Sequence, residues 1–393
     1  MIDSALGDTE FPLERTWRDS PQSAIGVKSQ PGVSVLSQCS SPNCPKWVNP
    51  RLANRIPELD GIRGLAILLV LILHYSVELS FQHITVEWQL RALSLFRLSW
   101  SGVDLFFVLS GFLIGGILVD AKHASGYYRT FYLRRLYRIV PLYVVLIATF
   151  AIGAYFAGPN PNATTPLGEM FDRRIALWVY PLFLQNVFMT LHRTYGSGWM
   201  GVTWSLAVEE QFYLLLPFVV RRLSARGLVR FAIGMILLAP ALRIVLERHG
   251  AGGQAIYTLL PCRADALGSG LLVAIACRNR NAWTWLTSHR RYIYAAFAVF
   301  GYGVLVWVWR DIELGFTWMA AFYTSLLLLV VVIPGRVNQM AFRSFVLVKL
   351  GTISYAVYLF HPGILRLYHY VFFRAVPSIQ DWPTFCVTLL WAQ

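Results

Sequence analysis

Two residues that could take part in chemistry stand at opposite ends of one apolar stretch, RGLAILLVLILH, which begins at Arg63 and ends at His74. If this stretch is helical, its rise per residue separates the two side chains by about 16 Å along the axis. A guanidinium can bind phosphate through its forked donors, and an imidazole can take a proton from a hydroxyl group. The pair therefore predicts the two ends of one passage, with anion binding at Arg63 and general base chemistry at His74.

A second group of basic residues follows in the stretch FYLRRLYRIVPLY, as Arg134, Arg135 and Arg138. Arg135 and Arg138 are three residues apart and would share one face of a helix, where they and Arg134 could hold the phosphates of a donor. The alternative is that these arginines only mark the cytoplasmic side of a membrane protein. Charge counting alone favours that alternative, whereas the joint pattern with His74 and the acidic residues favours donor binding.

The elements that must position these side chains are membrane helices, because 56% of the 393 residues are hydrophobic and only 14% are charged. A soluble domain has about a quarter of its residues charged. The net charge of +14 comes from basic residues in short segments between apolar runs, which indicates orientation in a membrane and no nucleic-acid partner. The sequence thus predicts an all-α, polytopic transmembrane helix bundle in a bacterial-type inner or plasma membrane.

Ten apolar stretches approach the length of about 20 residues that a membrane-spanning helix needs. They cover residues 61–79, 103–120, 139–157, 204–221, 228–247, 256–276, 291–309, 314–333, 346–373 and a last run that begins near Pro383. The stretch 175–191 is apolar but short, and we expect it to be re-entrant or interfacial within an external segment, 158–203. With about ten spans, both termini and every arginine-rich linker lie on the cytoplasmic side. These linkers are 121–138, 221–230, 277–291 and 334–345.

Two regions follow from this organisation. Residues 1–55 are polar and lack periodic apolar residues, so we expect a disordered cytoplasmic tail. Residues 56–393 form the integral membrane domain, and we expect its last helix to be incomplete because the chain stops inside an apolar run.

Six further ionisable residues lie in or beside the apolar stretches: Asp104, Glu209, Glu210, Arg263, Asp265 and His361. Such residues are costly in a bilayer and face a bundle interior or a watery cavity. The predicted topology gathers all six with His74 in a layer near the outer side. The plainer interpretations are helix-to-helix hydrogen bonds for the histidines and structural ion pairs for Arg263 and Asp265. The adjacent glutamates point about 100° apart, so only one of them is expected to face a given site.

The arginines on the cytoplasmic side and the ionisable residues near the outer side together suggest transfer of a group from a phosphate-bearing donor to a hydroxyl acceptor. An extended pantetheine arm is long enough to reach from the arginines to His74 across about half of a roughly 30 Å membrane core. The alternatives are a proton-coupled transporter, which also uses intramembrane histidines and carboxylates, and a scaffold or receptor without chemistry. The histidines lack spacing typical of a metal site, so we expect no metal ion.

Several stretches together resemble the acyltransferase 3 family of integral membrane acyltransferases. They are ELDGIRGLAILLVLILHYS (58–76), SGVDLFFVLSGFLIGGIL (101–118), FYLRRLYRIVPLY (131–143), TWSLAVEEQFYLLLP (203–217), RADALGSGLL (263–272) and ISYAVYLFHPGIL (353–365). They occur in the order of the family and extend over most of 56–370.

The resemblance implies an enzyme that moves an acyl group, most often acetyl, from cytoplasmic acyl-CoA as co-substrate to a hydroxyl of a carbohydrate-type acceptor. It implies that His74 is the catalytic base, with Glu209, Glu210 and Asp104 as further catalytic candidates. It also implies that Arg135 and Arg138 serve the donor, and we add Arg63 and Arg134 to them. Arg263, Asp265 and His361 remain candidates without an assigned role.

Overall fold

The computed structural model of the chain describes residues 47, 49–52, 55–77, 86–89, 96–158, 165–306, 312–374 and 377–379. All regular secondary structure within these ranges is helical. Most of the predicted tail and the whole of the last predicted span, from Pro383 to Gln393, lie outside the described residues, so both stay predictions. Near the start of the described part, Asn49 is buried, and its side-chain amide donates to the backbone oxygen of Cys277 at 2.7 Å.

Fourteen α-helices lie within these ranges, and we number them in chain order. The first seven are α1 (Pro57–Ile72), α2 (Gly102–Asp120), α3 (Tyr127–Phe156), α4 (Pro166–Met170), α5 (Gln185–Leu191), α6 (Thr203–Arg222) and α7 (Ala225–Arg248). The others are α8 (Gly253–Thr258), α9 (Leu260–Ala276), α10 (Arg280–Ser288), α11 (Arg290–Val306), α12 (Ile312–Val332), α13 (Arg336–Phe342) and α14 (Phe345–Phe373). A π-helical segment, Leu73–Val77, continues α1, and 3₁₀ segments occupy Arg97–Ser101 and Leu177–Leu182.

Seven helical stretches of the described residues are long and apolar enough to cross a membrane. They are Pro57–Val77, Leu98–Asp120, Tyr127–Phe156, Ala225–Arg248, Gly253–Ala276, Leu314–Val332 and Phe345–Phe372. Two more predicted spans, 204–221 and 291–309, coincide with α6 and with α11 as far as Val306. The chain is thus an all-α, multi-pass integral membrane protein, as the sequence predicts.

The segment between α3 and α6 contains only short helical pieces where the structure describes it. The stretch 175–191 is divided into the 3₁₀ segment Leu177–Leu182 and the seven-residue α5. Phe183 stands between them with a left-handed backbone, φ 53°, which breaks the helical path. A helix of seven residues is about 10 Å long and does not cross a bilayer, in agreement with the expectation for this stretch.

Two boundaries differ from the sequence prediction. Residues 127–138 were expected in a linker, but α3 begins at Tyr127, directly after Gly126 with φ 74°, so the three arginines lie on a helix. The predicted span 256–276 is divided between α8 and α9 by Leu259, which is extended. The new helix begins at Leu260, and Pro261 is tolerated in its first turn because the missing N–H is not needed there.

Close helix contacts hold the bundle together and depend on glycine. Helix α2 packs on α9, and α1 packs on α14. A Cβ atom on Gly111 of α2 would lie 2.0 Å from the backbone oxygen of Leu267, and one on Gly270 of α9 would lie 2.0 Å from that of Val108. Only glycine allows the two backbones to approach so closely, as small residues do in membrane bundles. This contact fixes α2, which carries part of the site described below.

Candidate active site

One part of the candidate site is cationic. Arg63 on α1 and Arg135 and Arg138 on α3 line a single cavity. Asp60 Oδ1 lies 3.2 Å from Nη1 of Arg63 and holds this guanidinium. Arg134 is exposed and lies outside the cavity lining, because it points about 100° away from Arg135 on the helix. The structure therefore brings together three of the four arginines that the sequence predicts for the donor.

Glu209 on α6 lines the same cavity and belongs to a short hydrogen-bonded chain. The Ser110 hydroxyl on α2 donates to Oε1 of Glu209, and the Tyr213 hydroxyl donates to Oγ of Ser110 at 2.9 Å. The Arg135 guanidinium lies 5.3 Å from the centre of the Tyr213 ring, within the range of a cation–π contact. Three helices thus fix one carboxyl group beside the cationic part of the cavity.

Glu210 points to different surroundings. It is absent from the cavity lining, and its Oε1 atom is buried with no hydrogen-bond partner among the described residues. The two adjacent glutamates therefore face different environments, and Glu209 is the one in the cavity.

The cavity extends along α6 away from the arginines. Ser205 lines it together with Tyr213, and these residues are eight positions apart on one helix, or about 12 Å along its axis. Beside Ser205, Tyr358 of α14 also lines the cavity, and its hydroxyl lies 2.5 Å from Oγ of Ser205. The cavity volume of about 110 Å³ is below the roughly 300 Å³ at which drug-sized ligand pockets begin. A cavity of this volume that extends over about 12 Å suits a thin chain.

His361 lies one turn beyond Tyr358 on α14, and the centres of the two rings are 5.8 Å apart. Pro362 has no N–H, so the backbone oxygen of Tyr358 lacks its usual helical donor. Nδ1 of His361 lies 2.8 Å from this oxygen. A carbonyl oxygen can only accept, so Nδ1 carries the hydrogen and Nε2 of the neutral ring keeps its lone pair. Nε2 is buried and has no hydrogen-bond partner among the described residues.

His74 lies in the π-helical segment that continues α1. Its Nδ1 atom is 2.9 Å from the backbone oxygen of Val70, which fixes the same tautomer, with the lone pair of the neutral ring on Nε2. The ring centres of His74 and His361 are 4.9 Å apart in an edge-on arrangement. The neighbouring Tyr75 hydroxyl donates to the backbone oxygen of His361 at 3.0 Å. The sequence did not foresee that the two histidines would be neighbours.

The cavity and the imidazole pair are adjacent. Neither His74 nor His361 lines the cavity, but Tyr358 does, and its ring contacts His361. The order in space is therefore arginines, Glu209, Tyr358, His361 and His74.

Asp104 and Arg263 form a buried ion pair between α2 and α9. Oδ1 of Asp104 lies 2.6 Å from Nη2 of Arg263, and both side chains are almost completely buried. The Arg263 guanidinium is 3.9 Å from the centre of the Phe316 ring. Both residues are absent from the cavity lining. The arrangement is that of a pair that fixes two helices.

Asp265 pairs with Arg243, a residue in the apolar stretch 228–247 that the sequence analysis did not single out. Oδ2 of Asp265 lies 2.8 Å from Nη2 of Arg243, and the Thr317 hydroxyl donates to the same carboxylate at 2.7 Å. Because Arg243 lies within a predicted span, its position in the sequence indicates a buried acidic partner.

Several hydroxyl groups of the cavity were also missed, although their spacing could have revealed them. Ser205, Glu209 and Tyr213 are four residues apart and so lie on one face of α6. Tyr358 and His361 repeat this arrangement on α14, with a spacing of three. A stripe of polar residues at helical spacing within an apolar run indicates a face turned toward a polar cavity.

Comparison with known proteins identifies the family. The profile of the acyltransferase 3 family, described as an acyltransferase domain, matches residues 56–392. The peptidoglycan O-acetyltransferase OatA of Listeria monocytogenes is 29% identical over 56% of this chain and 33% of its own length. The putative membrane-bound transacylase BcsY of Komagataeibacter xylinus is 28% identical over 82% of this chain and 76% of its own length.

A putative O-acetyltransferase of Staphylococcus aureus is 24% identical over 80% of this chain and 51% of its own length. The chain thus spans about a third to three quarters of these relatives. No solved structure matches it significantly. Because the family profile covers nearly the whole membrane domain, the chain belongs to the acyltransferase 3 family of integral membrane acyltransferases.

Proposed function

We propose that the protein transfers an acyl group, most readily acetyl, from acyl-CoA to a hydroxyl of a carbohydrate-type acceptor at the membrane. Family membership supports acyl transfer, and the names of the relatives include a peptidoglycan O-acetyltransferase and a putative O-acetyltransferase. The same membership favours an enzyme over the alternative of a proton-coupled transporter.

The observation that carries the proposal is the single cavity that joins three guanidinium groups to a buried polar chain. In the proposed arrangement, Arg63, Arg135 and Arg138 bind the phosphates of the donor, because guanidinium donors match phosphate oxygens. The cavity is narrow, so the nucleotide stays at the arginines and the pantetheine arm enters alone. The thioester then reaches the level of Tyr358 and the imidazole pair.

The proposed reaction needs one base. The acceptor oxygen attacks the thioester carbonyl carbon while Nε2 of His74 takes the hydroxyl proton. The tetrahedral intermediate collapses, the carbon–sulfur bond breaks, and the thiolate of CoA takes up the proton that His74 received. The ester and free CoA are the products, and the enzyme returns to its starting state. The Val70 carbonyl keeps His74 in the tautomer that this role requires.

The remaining predicted residues support this site in the proposal. Glu209 holds Ser110 and the neighbouring Tyr213 in place and balances the charge of Arg135. The ion pairs of Asp104 with Arg263 and of Asp265 with Arg243 hold α2, α7 and α9 together. The arginine-rich linkers favour a cytoplasmic donor end and an acceptor end near the outer leaflet.

The test is an assay of the full chain in liposomes with acetyl-CoA labelled in its acetyl group and a membrane glycan extract as acceptor. We expect free CoA to appear together with label in an ester that mild base releases. Absence of both CoA release and labelled ester, in preparations that remain folded, would contradict acyl transfer.

A further inference from the structure

A second concave surface lies beside the imidazole pair, between α1 with its π-helical continuation and α14. It has a volume of about 510 Å³ and is lined mainly by apolar side chains, among them Leu71, Phe360 and Ile364. Its polar members are Tyr75 and His361. The Tyr75 hydroxyl already donates to the backbone oxygen of His361. We call this surface the lateral groove.

The lateral groove faces the lipid. Both of its walls are formed by stretches long and apolar enough to cross the membrane, Pro57–Val77 and Phe345–Phe372. Ile364 at its edge is 59% exposed, and a large apolar side chain exposed on a membrane-spanning helix contacts hydrocarbon. With respect to the residues that the structure describes, the groove is therefore open toward hydrocarbon at this edge, and an apolar chain is the occupant that its lining favours.

One polar atom in this apolar setting lacks a hydrogen-bond partner within the described part of the chain. His361 is 2% exposed, it lines the groove, and its Nε2 atom has no hydrogen-bond partner among the described residues. A buried acceptor without a donor destabilises a protein. A ligand hydroxyl would satisfy it, and that hydroxyl would then be close to His74, whose ring centre is 4.9 Å from that of His361.

We propose that the lateral groove binds the hydrocarbon chain of a lipid-linked acceptor and that His361 orients the acceptor hydroxyl toward His74. The inference rests on the proposed function and narrows its acceptor to a carbohydrate carried on a membrane lipid. His361 is a positioning residue in this arrangement, since its Nε2 accepts a hydrogen bond from an acceptor hydroxyl, while His74 takes the reacting proton.

The acceptor is favoured over the acyl chain of a donor as the occupant. The donor is bound through its phosphates at Arg63, Arg135 and Arg138, and its arm approaches through the narrow cavity, on the other side of Tyr358. A water-soluble sugar, in turn, would gain nothing from a groove whose polar members are a tyrosine and a buried histidine.

The direct test does not depend on catalysis. The full chain in phosphatidylcholine liposomes is photolabelled with dodecyl glucoside that carries a diazirine in its alkyl chain, and the labelled peptides are identified by mass spectrometry. We expect label on residues 345–373, and excess unlabelled dodecyl glucoside should reduce it at least fivefold whereas methyl glucoside should not. Ala356 also lines the groove, and Ala356→Trp, which fills it, should likewise reduce the labelling at least fivefold.

The matched control is Ile353→Trp, because Ile353 is on the same helix, is 53% exposed and lies outside the groove lining. It should leave the labelling unchanged. If neither excess dodecyl glucoside nor Ala356→Trp reduces the labelling, the label shows only general lipid contact, and the proposal is overturned. Displacement by a long-chain acyl-CoA, but not by dodecyl glucoside, would assign the groove to the donor and overturn it as well.

A second readout links the groove to the reaction. After incubation of native membranes with labelled acetyl-CoA, the ester label is divided between an organic and an aqueous extract. We expect the ester label in the organic extract. This label should fall at least tenfold in Ala356→Trp and should be unchanged in Ile353→Trp. Ester label confined to the aqueous extract would overturn the lipid-linked acceptor while leaving acyl transfer intact. Absence of any ester label and of CoA release would instead contradict the proposed function.

Discussion

Nδ1 of His361 lies 2.8 Å from the backbone oxygen of Tyr358, the oxygen that Pro362 leaves without a helical donor. Without that donor, the Tyr358 oxygen accepts a hydrogen bond from Nδ1 of His361, the residue before the proline, so the hydrogen of the neutral ring is on Nδ1. The result is a buried Nε2 lone pair next to His74. A dipeptide of ordinary appearance in the sequence, His-Pro within an apolar run, therefore has a defined physical role.

Pro362→Ala tests this role. The new N–H would compete with the imidazole for the Tyr358 oxygen, and loss of a hydrogen bond of about 0.5–1.5 kcal/mol lowers transfer by roughly twofold to tenfold. The measurement is the rate of acyl transfer together with the nitrogen chemical shifts of His361. Pro240→Ala, at a proline inside α7, is the control and should leave both unchanged. Unaltered shifts in Pro362→Ala would refute the proposed role of the proline.

The arginines give a second prediction with a built-in control. Arg135→Ala or Arg138→Ala should raise KM for acyl-CoA by about tenfold or more, because each removes a charged hydrogen bond of roughly 1.5–3 kcal/mol. Arg134→Ala should change KM little, since Arg134 lies outside the cavity. Equal effects at all three positions would indicate that they act only on membrane orientation. Expression and membrane insertion are measured in parallel.

The adjacent glutamates should differ. Glu209→Gln removes the charge that faces Arg135 and Ser110, and we expect kcat/KM to fall by about tenfold or more, as for a lost charged hydrogen bond. Glu210→Gln replaces a carboxyl group that the cavity does not contain, so its effect should be smaller. The measurement is kcat/KM of the two variants under steady-state conditions. A larger fall of kcat/KM in Glu210→Gln than in Glu209→Gln would show that Glu210 is the glutamate that supports the reaction.

Asp104 offers a test between chemistry and structure. Asp104→Asn leaves the buried Arg263 charge without its counterion, which costs about 3–5 kcal/mol of folding free energy. We expect a clearly lower unfolding midpoint in detergent, with Asp104→Glu less affected. If Asp104→Asn instead keeps its stability and loses transfer activity, Asp104 acts in catalysis as the sequence analysis predicted.

The helices and the cationic part of the site follow from local sequence. Apolar runs mark the spans, apart from the division of 256–276 at Leu259, and the three-residue spacing of Arg135 and Arg138 is enough to place them on one face. Separation of Glu209 from Glu210 likewise follows from helix geometry. These features depend on neighbours within one helix, where periodicity is informative.

Contacts between helices could not be predicted in this way. Arg263 pairs with Asp104, which is 159 positions away in the chain, and not with the nearby Asp265. His74 and His361 come together because α1 packs on α14, and a single sequence does not state which helices are neighbours. Ser110 was missed for another reason, since a serine in a span often bonds to its own backbone and so does not indicate a partner on another helix.

The most direct test of the account is acyl transfer by His74→Ala, assayed in liposomes with acetyl-CoA labelled in its acetyl group. A general base contributes about a hundredfold or more to such a reaction, so we predict a loss of at least that size while the protein still folds and still binds acyl-CoA. Transfer by His74→Ala at the rate of the unaltered protein would contradict the central claim that this imidazole takes the acceptor's proton.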